Sequence, residues 1–356
     1  MPEEKLRRQR TGRANSSPTL EDVAQKAGVS TATVSRCLNA PARVSEATRK
    51  QVLEAVNQLG YAPNFGARAL AAKRTDTFGA IIPTMENAIF ARGLQAFQEE
   101  LEQNGITLLV SSSSYSPQLE EKQVHALIAR GADALLLIGH DRTPKSYDLL
   151  ESKGIPHVIA WSIAHDVPRT SIGFDNRNAM KTLALEVLKL GHRDLAVISA
   201  PREGNDRARE RCQGVADALI QFGLRPTDLP IIETPYSISN GAEAFQTLVS
   251  SGNRPTAVLC GNDVLAAGAI SRARELGLRV PDDISITGFD DIEIAQIVSP
   301  GLTTVHVPHR KMGIHAARLL IAMRNGEYGD APAESLELQV TITWRGSLGP
   351  VPLRNA

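Results

Sequence analysis

The 356-residue chain lacks several features that would mark particular function classes. Its cysteines are few: Cys37, Cys212 and Cys260 are odd in number and show no metal-ligand spacing. They support neither a disulfide framework nor a zinc site, and a reduced, cytoplasmic setting is expected. No apolar run approaches the roughly 20 residues of a membrane span. The N-terminal stretch PEEKLRRQRTGRANSSP is polar and basic, so no secretory signal is expected there. Phosphate-cradling loops of the G-x-G-x-x-G or G-x-x-x-x-G-K-[ST] type do not occur, and the turn Pro83-Thr84-Met85-Glu86-Asn87 after the first strand pattern has no glycine. H-E-x-x-H, C-x-x-C and G-x-S-x-G are also missing. Asp290-Asp291 is a carboxylate pair, but neighbours on an extended segment face opposite ways. A catalytic site, a metal and a cofactor are therefore not expected.

The net charge is zero, with 39 Lys+Arg against 39 Asp+Glu. That balance conceals an asymmetry. Residues 1–75 carry 13 basic and 6 acidic side chains, while the remaining chain carries 26 and 33. A basic head on an acidic body suits a phosphate-contacting module joined to a soluble domain.

The head has a pattern to match its charge. In TLEDVAQKAGVSTATVSRCLN, Thr19 and Asp22 form a capping box that predicts a helix from Leu20. Leu20, Val23, Ala24 and Ala27 then recur at the spacing of one buried helical face. Gly28 breaks this helix, and Ser30 caps a second running from Thr31 to about Asn39. Val34 and Leu38 point inward there, leaving Ala32, Ser35, Arg36 and Asn39 on the opposite face. A third helix runs from Ser45 to Leu59, buries Val52, Ala55, Val56 and Leu59, and stops at Gly60. Two short helices around a glycine turn, the second displaying small and hydrogen-bonding side chains, predict helix-turn-helix docking on double-stranded DNA.

Beyond Thr75, apolar strand patterns alternate with helical ones. Strand-like runs occur at 77–83, 106–111, 133–139, 157–161, 194–199, 256–261 and 284–289, with helical patterns between them. Such alternation predicts right-handed βαβ units and parallel sheets. The region is long for one sheet, so two α/β lobes are expected, meeting near residue 175, with the late segments crossing back near 305 and 336.

Several separated motifs coincide with these elements. T-L-E-D-V-A-x-x-A-G-V-S-x-x-T-V-S-R (19–36), V-S-x-x-T-R (44–49), G-Y-x-P-N (60–64) and A-x-x-L (67–70) lie in the first part. G-H-R (191–193), P-T-A-V (255–258), N-D (262–263), G-L-x-V-P-x-D (277–283), G-F-D-D (288–291) and L-T-T-V (302–305) lie in the second. From residue 19 to about 347 the chain resembles the lactose-repressor family of bacterial transcription regulators. The resemblance implies a headpiece (17–62), a hinge helix (63–75) and a periplasmic-binding-protein-like core of two parallel-sheet lobes (76–349), and the polar, basic composition of residues 1–16 predicts a disordered arm before them, with a short tail (350–356) at the other end.

The resemblance also assigns roles. Thr31, Ala32 and Arg36 would read bases, with Arg36 the main discriminator because guanidinium bridges O6 and N7 of guanine. Ala32 serves equally as a small residue that leaves room for close backbone approach. Ser30, Thr33, Asn39, Ser45 and Thr48 would hold phosphates, and Arg43 would do either. In the hinge, Asn64, Ala67, Leu70 and Lys73 would face the minor groove, with Leu70 wedged at a base step or else packed on its dimer mate. Arg211, Asn262 and Asp290 fall where sugar-sensing members place an arginine, an asparagine and an aspartate around the effector, a set whose donors and acceptors suit a polyol. Asp175, Phe90 and Trp161 are further candidates, as is Phe174, although each aromatic read singly is better explained by lobe packing. The implied protein is a homodimeric, cytoplasmic regulator on a pseudo-palindromic operator, a repressor of sugar or sugar-acid utilisation genes. A purine- or nucleoside-responsive regulator is the first alternative, and a sugar-binding or sugar-processing α/β protein the second.

Overall fold

The computed structural model describes residues 18–62, 74–86, 88–164, 169–251, 254–329 and 334–352, without the side chain of Asn39. The chain divides into two compact units between Thr75 and Asp76. The expected basic arm and the hinge positions Asn64, Ala67, Leu70 and Lys73 lie outside the described residues.

The first unit contains α1 (Leu20–Lys26), α2 (Thr31–Asn39), a 3-10 turn (Pro41–Arg43) and α3 (Glu46–Leu59). Each helix starts where a short polar side chain satisfies a free backbone N–H. Thr19 and Asp22 form the reciprocal capping box of α1, with the Thr19 amide donating to Asp22 Oδ2 at 2.7 Å. Ser30 Oγ accepts from the Thr33 amide at 3.2 Å and Ser45 Oγ from the Thr48 amide at 3.3 Å. Gly60 ends α3 in the left-handed region, at φ 60°. Val23, Ala24, Ala27, Val34, Cys37, Val52, Ala55 and Tyr61 close a small core between the three helices.

The second unit is mixed α/β and has two sheets. The first lobe joins β1 (Thr77–Ile82), β2 (Thr107–Ser112), β3 (Ala134–Ile138), β4 (His157–Ala160), β5 (Ser171–Gly173) and the late β11 (Leu336–Glu337) in the order β11-β5-β4-β3-β1-β2, all parallel. The second lobe joins β6 (Leu195–Ser199), β7 (Ile231–Glu233), β8 (Ala257–Cys260) and β9 (Ser285–Thr287) in the order β7-β6-β8-β9, also parallel. β1, β3, β6 and β8 are apolar throughout or nearly so, and every residue in them is buried. Helices covering both faces of a parallel sheet require that composition.

The covering helices are α4 (Ala88–Gln103), α5 (Pro117–Ala129) and α6 (Pro144–Ser152) in the first lobe. α7 (Asn176–Lys189), α8 (Asp206–Gln221), α9 (Ile238–Ser250), α10 (Asp263–Glu275) and the short α11 (Ile294–Ile297) follow. β10 (Thr304–His306) pairs antiparallel with β12 (Thr341–Thr343) as the chain crosses between lobes. α12 (His309–Arg324), although late in sequence, packs on α4 of the first lobe. The approach is close enough that a Cβ at Gly313 would collide with the Gly93 carbonyl. Arg310–Glu99 and Arg318–Glu100 ion pairs flank this contact. Among the described residues no helix is long and apolar enough to cross a membrane.

Candidate effector cleft and DNA-docking face

Ligand sites in parallel α/β sheets form beyond the carboxyl ends of the strands, where loops diverge and helix N-termini point. Several such ends converge here. Arg211 on α8, Asn262 after β8 and Asp290 after β9 are buried to 5 %, 0 % and 1 % exposure. The Arg211 guanidinium lies flat over the Phe289 ring, 3.7 Å from its centroid. Its Nε donates to Asn176 Oδ1 at 2.9 Å and its Nη1 to the Gly261 carbonyl at 2.6 Å. Nη2 stands 3.6 Å from Asp290 Oδ1, an ion pair too long for a hydrogen bond. The arginine is thus aimed before any ligand arrives.

Asp290 has the opposite character. Neither carboxylate oxygen has a hydrogen-bond partner, and the backbone sits at φ 103°, outside the region most side chains adopt. Its amide donates to the Val305 carbonyl at 2.9 Å, so the turn is fastened to the crossover strand β10. Burial raises its pKa from 3.8 to about 6, against the pull of Arg211 and Arg207. Asn262 caps α10 through Oδ1, which accepts from the Leu265 amide at 2.9 Å, and its Nδ2 has no partner. The buried Thr287 hydroxyl is likewise unpaired. Leaving one such group unmade costs about 1–3 kcal/mol, and Asp290, Asn262 and Thr287 each have a buried polar atom without a hydrogen-bond partner.

Asp291 turns the other way. It pairs at 2.6 Å with Arg345, two residues beyond β12, and at 2.9 Å with His306 of β10. Asp263 braces the turn from beneath, accepting from the Thr304 hydroxyl and from the Ile292 amide at 2.8 Å. Burial and the Asp290 charge push its pKa well up.

The other predicted cleft residues have local duties. Asp175 caps α7, its Oδ1 accepting from the Asn178 amide at 2.9 Å. Phe90 and Trp161 meet edge to face at 5.6 Å. Trp161 Nε1 is within 3.0 Å of His309 Nδ1, and its carbonyl accepts from Asn176 Nδ2 at 3.0 Å. Phe174 stacks on Phe289 at 5.9 Å. These rings form the wall behind Arg211 rather than an open stacking face.

Some cleft residues carry no signal in the sequence. Asp206 and Arg207 at the start of α8 reach the first lobe: Asp206 Oδ2 accepts from the His140 amide at 2.8 Å, and Arg207 Nη1 donates to Asp206 Oδ1 at 2.7 Å. Gly139 lets them approach, since its φ is 70° and a Cβ there would strike the Arg207 guanidinium. Arg209 and Asp141 complete the contact with two 2.8 Å bonds. Tyr115 and Tyr236, one from each lobe, face each other with centroids 6.1 Å apart. Only folding brings these separate loops together, so no spacing rule finds them. Asp263 is the exception, being visible in the N-D motif.

In the first unit, Thr31, Ala32 and Arg36 are exposed on α2, opposite Val34 and Cys37. The N-termini of α2 and α3 each present a hydroxyl pair, Ser30–Thr33 at 2.9 Å and Ser45–Thr48 at 2.8 Å. Arg43 is exposed at the end of the 3-10 turn between them.

Comparison with known proteins gives this geometry its context. Residues 19–64 match the description "Bacterial regulatory proteins, lacI family", and residues 184–348 match "Periplasmic binding protein-like domain". Catabolite control protein A of Priestia megaterium is 33% identical over 313 residues, 88% of this chain and 94% of that protein. The chain belongs to the lacI family of bacterial regulators. The HTH-type transcriptional regulator GntR of Escherichia coli (strain K12) is 30% identical over 93% of this chain and 98% of its own length. The crystal structure of the lac repressor dimer bound to operator and the anti-inducer ONPF superposes with a TM-score of 0.83 at 28% identity, covering 94% of this chain and all of that one. This chain is accordingly a DNA-binding transcriptional regulator with a ligand-binding core, not an enzyme.

Proposed function

We propose that this regulator is a homodimeric, cytoplasmic repressor of sugar or sugar-acid utilisation genes, released from or held on its operator by an effector bound at Arg211, Asn262 and Asp290. The observation that carries the effector reading is the buried Asp290 carboxylate, which has two acceptor oxygens and no donor, beside a pre-aimed arginine and an unpaired amide. Adjacent hydroxyls of a polyol supply two donors to one carboxylate and acceptors for the arginine and amide. Asp175, Phe90 and Trp161 support this pocket from its rim and wall.

On DNA, Arg36 with Thr31 and Ala32 reads base edges in the major groove. Ser30, Thr33, Ser45 and Thr48 contact backbone phosphates at the positive N-terminal ends of α2 and α3, and Asn39 and Arg43 do so from the end of α2 and the turn that follows it. Effector binding acts through its differential affinity for two lobe arrangements, and operator affinity shifts by the same coupling free energy.

The test is operator selection from random duplexes with the full chain, followed by titration with sugars, sugar acids and nucleosides. A palindromic site whose affinity changes with a sugar-class compound, and a response abolished by Asp290→Ala, is the expected result. Full effector response in that variant would refute the cleft assignment. Deleting residues 1–75 is expected to abolish DNA binding and leave ligand binding intact.

A further inference from the structure

We propose that the core carries a second small-molecule site, outside the cleft, that takes a small aromatic amine and modulates operator binding. The site is a cavity of about 390 Å³ between α7 and the crossover strands β10 and β12, with none of Arg211, Asn262 or Asp290 in its lining. That volume falls within the roughly 300–1,000 Å³ of small-molecule sites.

Its walls are the elements that hold two of the cleft residues in place. Val305 and Ile342, partners in the β10–β12 register, line it from the strands, and the Val305 carbonyl accepts from the Asp290 amide at 2.9 Å. Ala179 lines it from the first turn of α7. That helix begins at Asn176, whose Oδ1 accepts from Arg211 Nε at 2.9 Å. A ligand seated between α7 and the strands therefore bears on Asp290 and Arg211 from behind. β10 and β12 also lie where the chain passes between the lobes, so a ligand that fits one lobe arrangement better than the other shifts the balance between them.

The lining sets the chemistry of the ligand. Trp344, one residue beyond β12, stands in the cavity wall 52 % exposed, and among the described residues its indole has no ring or hydrogen-bond partner. An indole with an open face is a platform for a second flat ring. Val305, Val340, Ile342 and Ala179 give that ring an apolar floor. α7 adds Asn178, Thr182 and Glu186, four residues apart and so on one helix face, a polar strip about 12 Å long. Glu186 is the one charged residue of the lining and lies in the last turn of α7, where the helix carbonyls add negative potential. It holds Lys189 at 2.6 Å, a solvent-exposed pair of the kind that contributes little and that an incoming ammonium can replace. An anion would meet Glu186 with no counter-ion in the lining, and a polyol would leave the apolar floor without a partner. A planar ring on Trp344 with an ammonium toward Glu186 satisfies both.

The full chain is titrated calorimetrically with 2-phenylethylamine, with phenylacetate as its anionic counterpart and with 2-cyclohexylethylamine as its non-aromatic one. The aromatic amine is expected to bind tenfold or more tightly than phenylacetate and threefold or more tightly than the cyclohexyl amine. Glu186→Gln is expected to erase the preference over phenylacetate, and Trp344→Ser to weaken the aromatic amine tenfold. Both side chains are solvent-exposed in part, and melting curves check that the variants fold. Saturating 2-phenylethylamine is expected to shift affinity for the selected operator threefold or more in the wild type and not in Trp344→Ser. Equal binding of all three probes, no binding of any, affinity unchanged in both variants, or binding without a shift in operator affinity would each overturn the proposal. So would loss of amine binding in Asp290→Ala, which would put the amine in the cleft. None of the probes is a sugar, so these failures leave the reading of Arg211, Asn262 and Asp290 to its own test.

Discussion

Replacing Asp290 by asparagine should make the protein more stable and deaf to its effector. The carboxyl is 1 % exposed and its pKa is raised from 3.8 to about 6 by burial. A tenfold change in proton affinity is worth about 1.4 kcal/mol, so the ionised carboxylate costs the fold about 3 kcal/mol once the pH is well above 6. The sign follows from the direction in which the pKa moves. Between about pH 4 and 6 the folded protein keeps a proton that the unfolded chain has released, so stability falls as pH rises through that window. Asparagine has the same shape and no charge, but it removes the partner 3.6 Å from Arg211, which offsets part of the gain. A net stabilisation of about 1–2 kcal/mol at pH 8 is expected, or roughly 2–6 °C in melting temperature for a body of this size. Differential scanning fluorimetry at pH 8 and pH 5 is the assay, and the gap should close toward pH 5, where wild-type Asp290 is itself protonated. A variant that melts lower than wild type at pH 8, or a gap independent of pH, would show that Asp290 is satisfied in the folded state and that the cleft is not built around its unmet charge.

Effector affinity should weaken as pH falls below about 6, because protonated Asp290 loses half of its acceptor role; calorimetry at pH 5 and 7.5 reads this directly. Arg36→Ala should cost about 1–3 kcal/mol of operator binding and relax discrimination at one base position while leaving the headpiece folded, measured by mobility shift on single-base operator variants. Glu120→Ala should destabilise the body by about 3–5 kcal/mol, since it strands Arg142, whose Nε lies 2.6 Å from Glu120 with both side chains buried; urea unfolding provides the number. Gly60→Ala should destabilise the headpiece by about 1–2 kcal/mol through the left-handed end of α3, seen as a lower-melting transition of that unit.

The headpiece is readable almost residue by residue because its information is local. A capping serine, an apolar residue every three or four positions and a terminating glycine each act within one or two turns of helix. Ser30, Ser45 and Gly60 stand at the helix ends that their neighbours predict. The central strands β1, β3, β6 and β8 are legible for a similar reason, since full burial demands an unbroken apolar run. β5, β7, β10, β11 and β12 leave little trace. They are two or three residues long, and β7, β11 and β12 are only partly buried or exposed, so no pattern accumulates. α12 escapes a sequence reading because its polar side chains pair with Glu99 and Glu100 of α4 instead of forming a recognisable boundary.

Local chemistry therefore decided the helix-turn-helix unit, the α/β alternation and the residue types available to a polyol site, since caps, periods and turns are settled by near neighbours along the chain. Which of those residues share a cavity was decided by the folded body alone. Tyr115 and Tyr236 are 121 positions apart in sequence and 6.1 Å apart in space. Asp290 and Asp291 are adjacent in sequence, yet one stands beside Arg211 with no hydrogen-bond partner while the other is bound to Arg345. Burial and partnership are properties of the packed lobes, and they leave an ordinary aspartate buried beside Arg211 with no hydrogen-bond partner for its carboxylate.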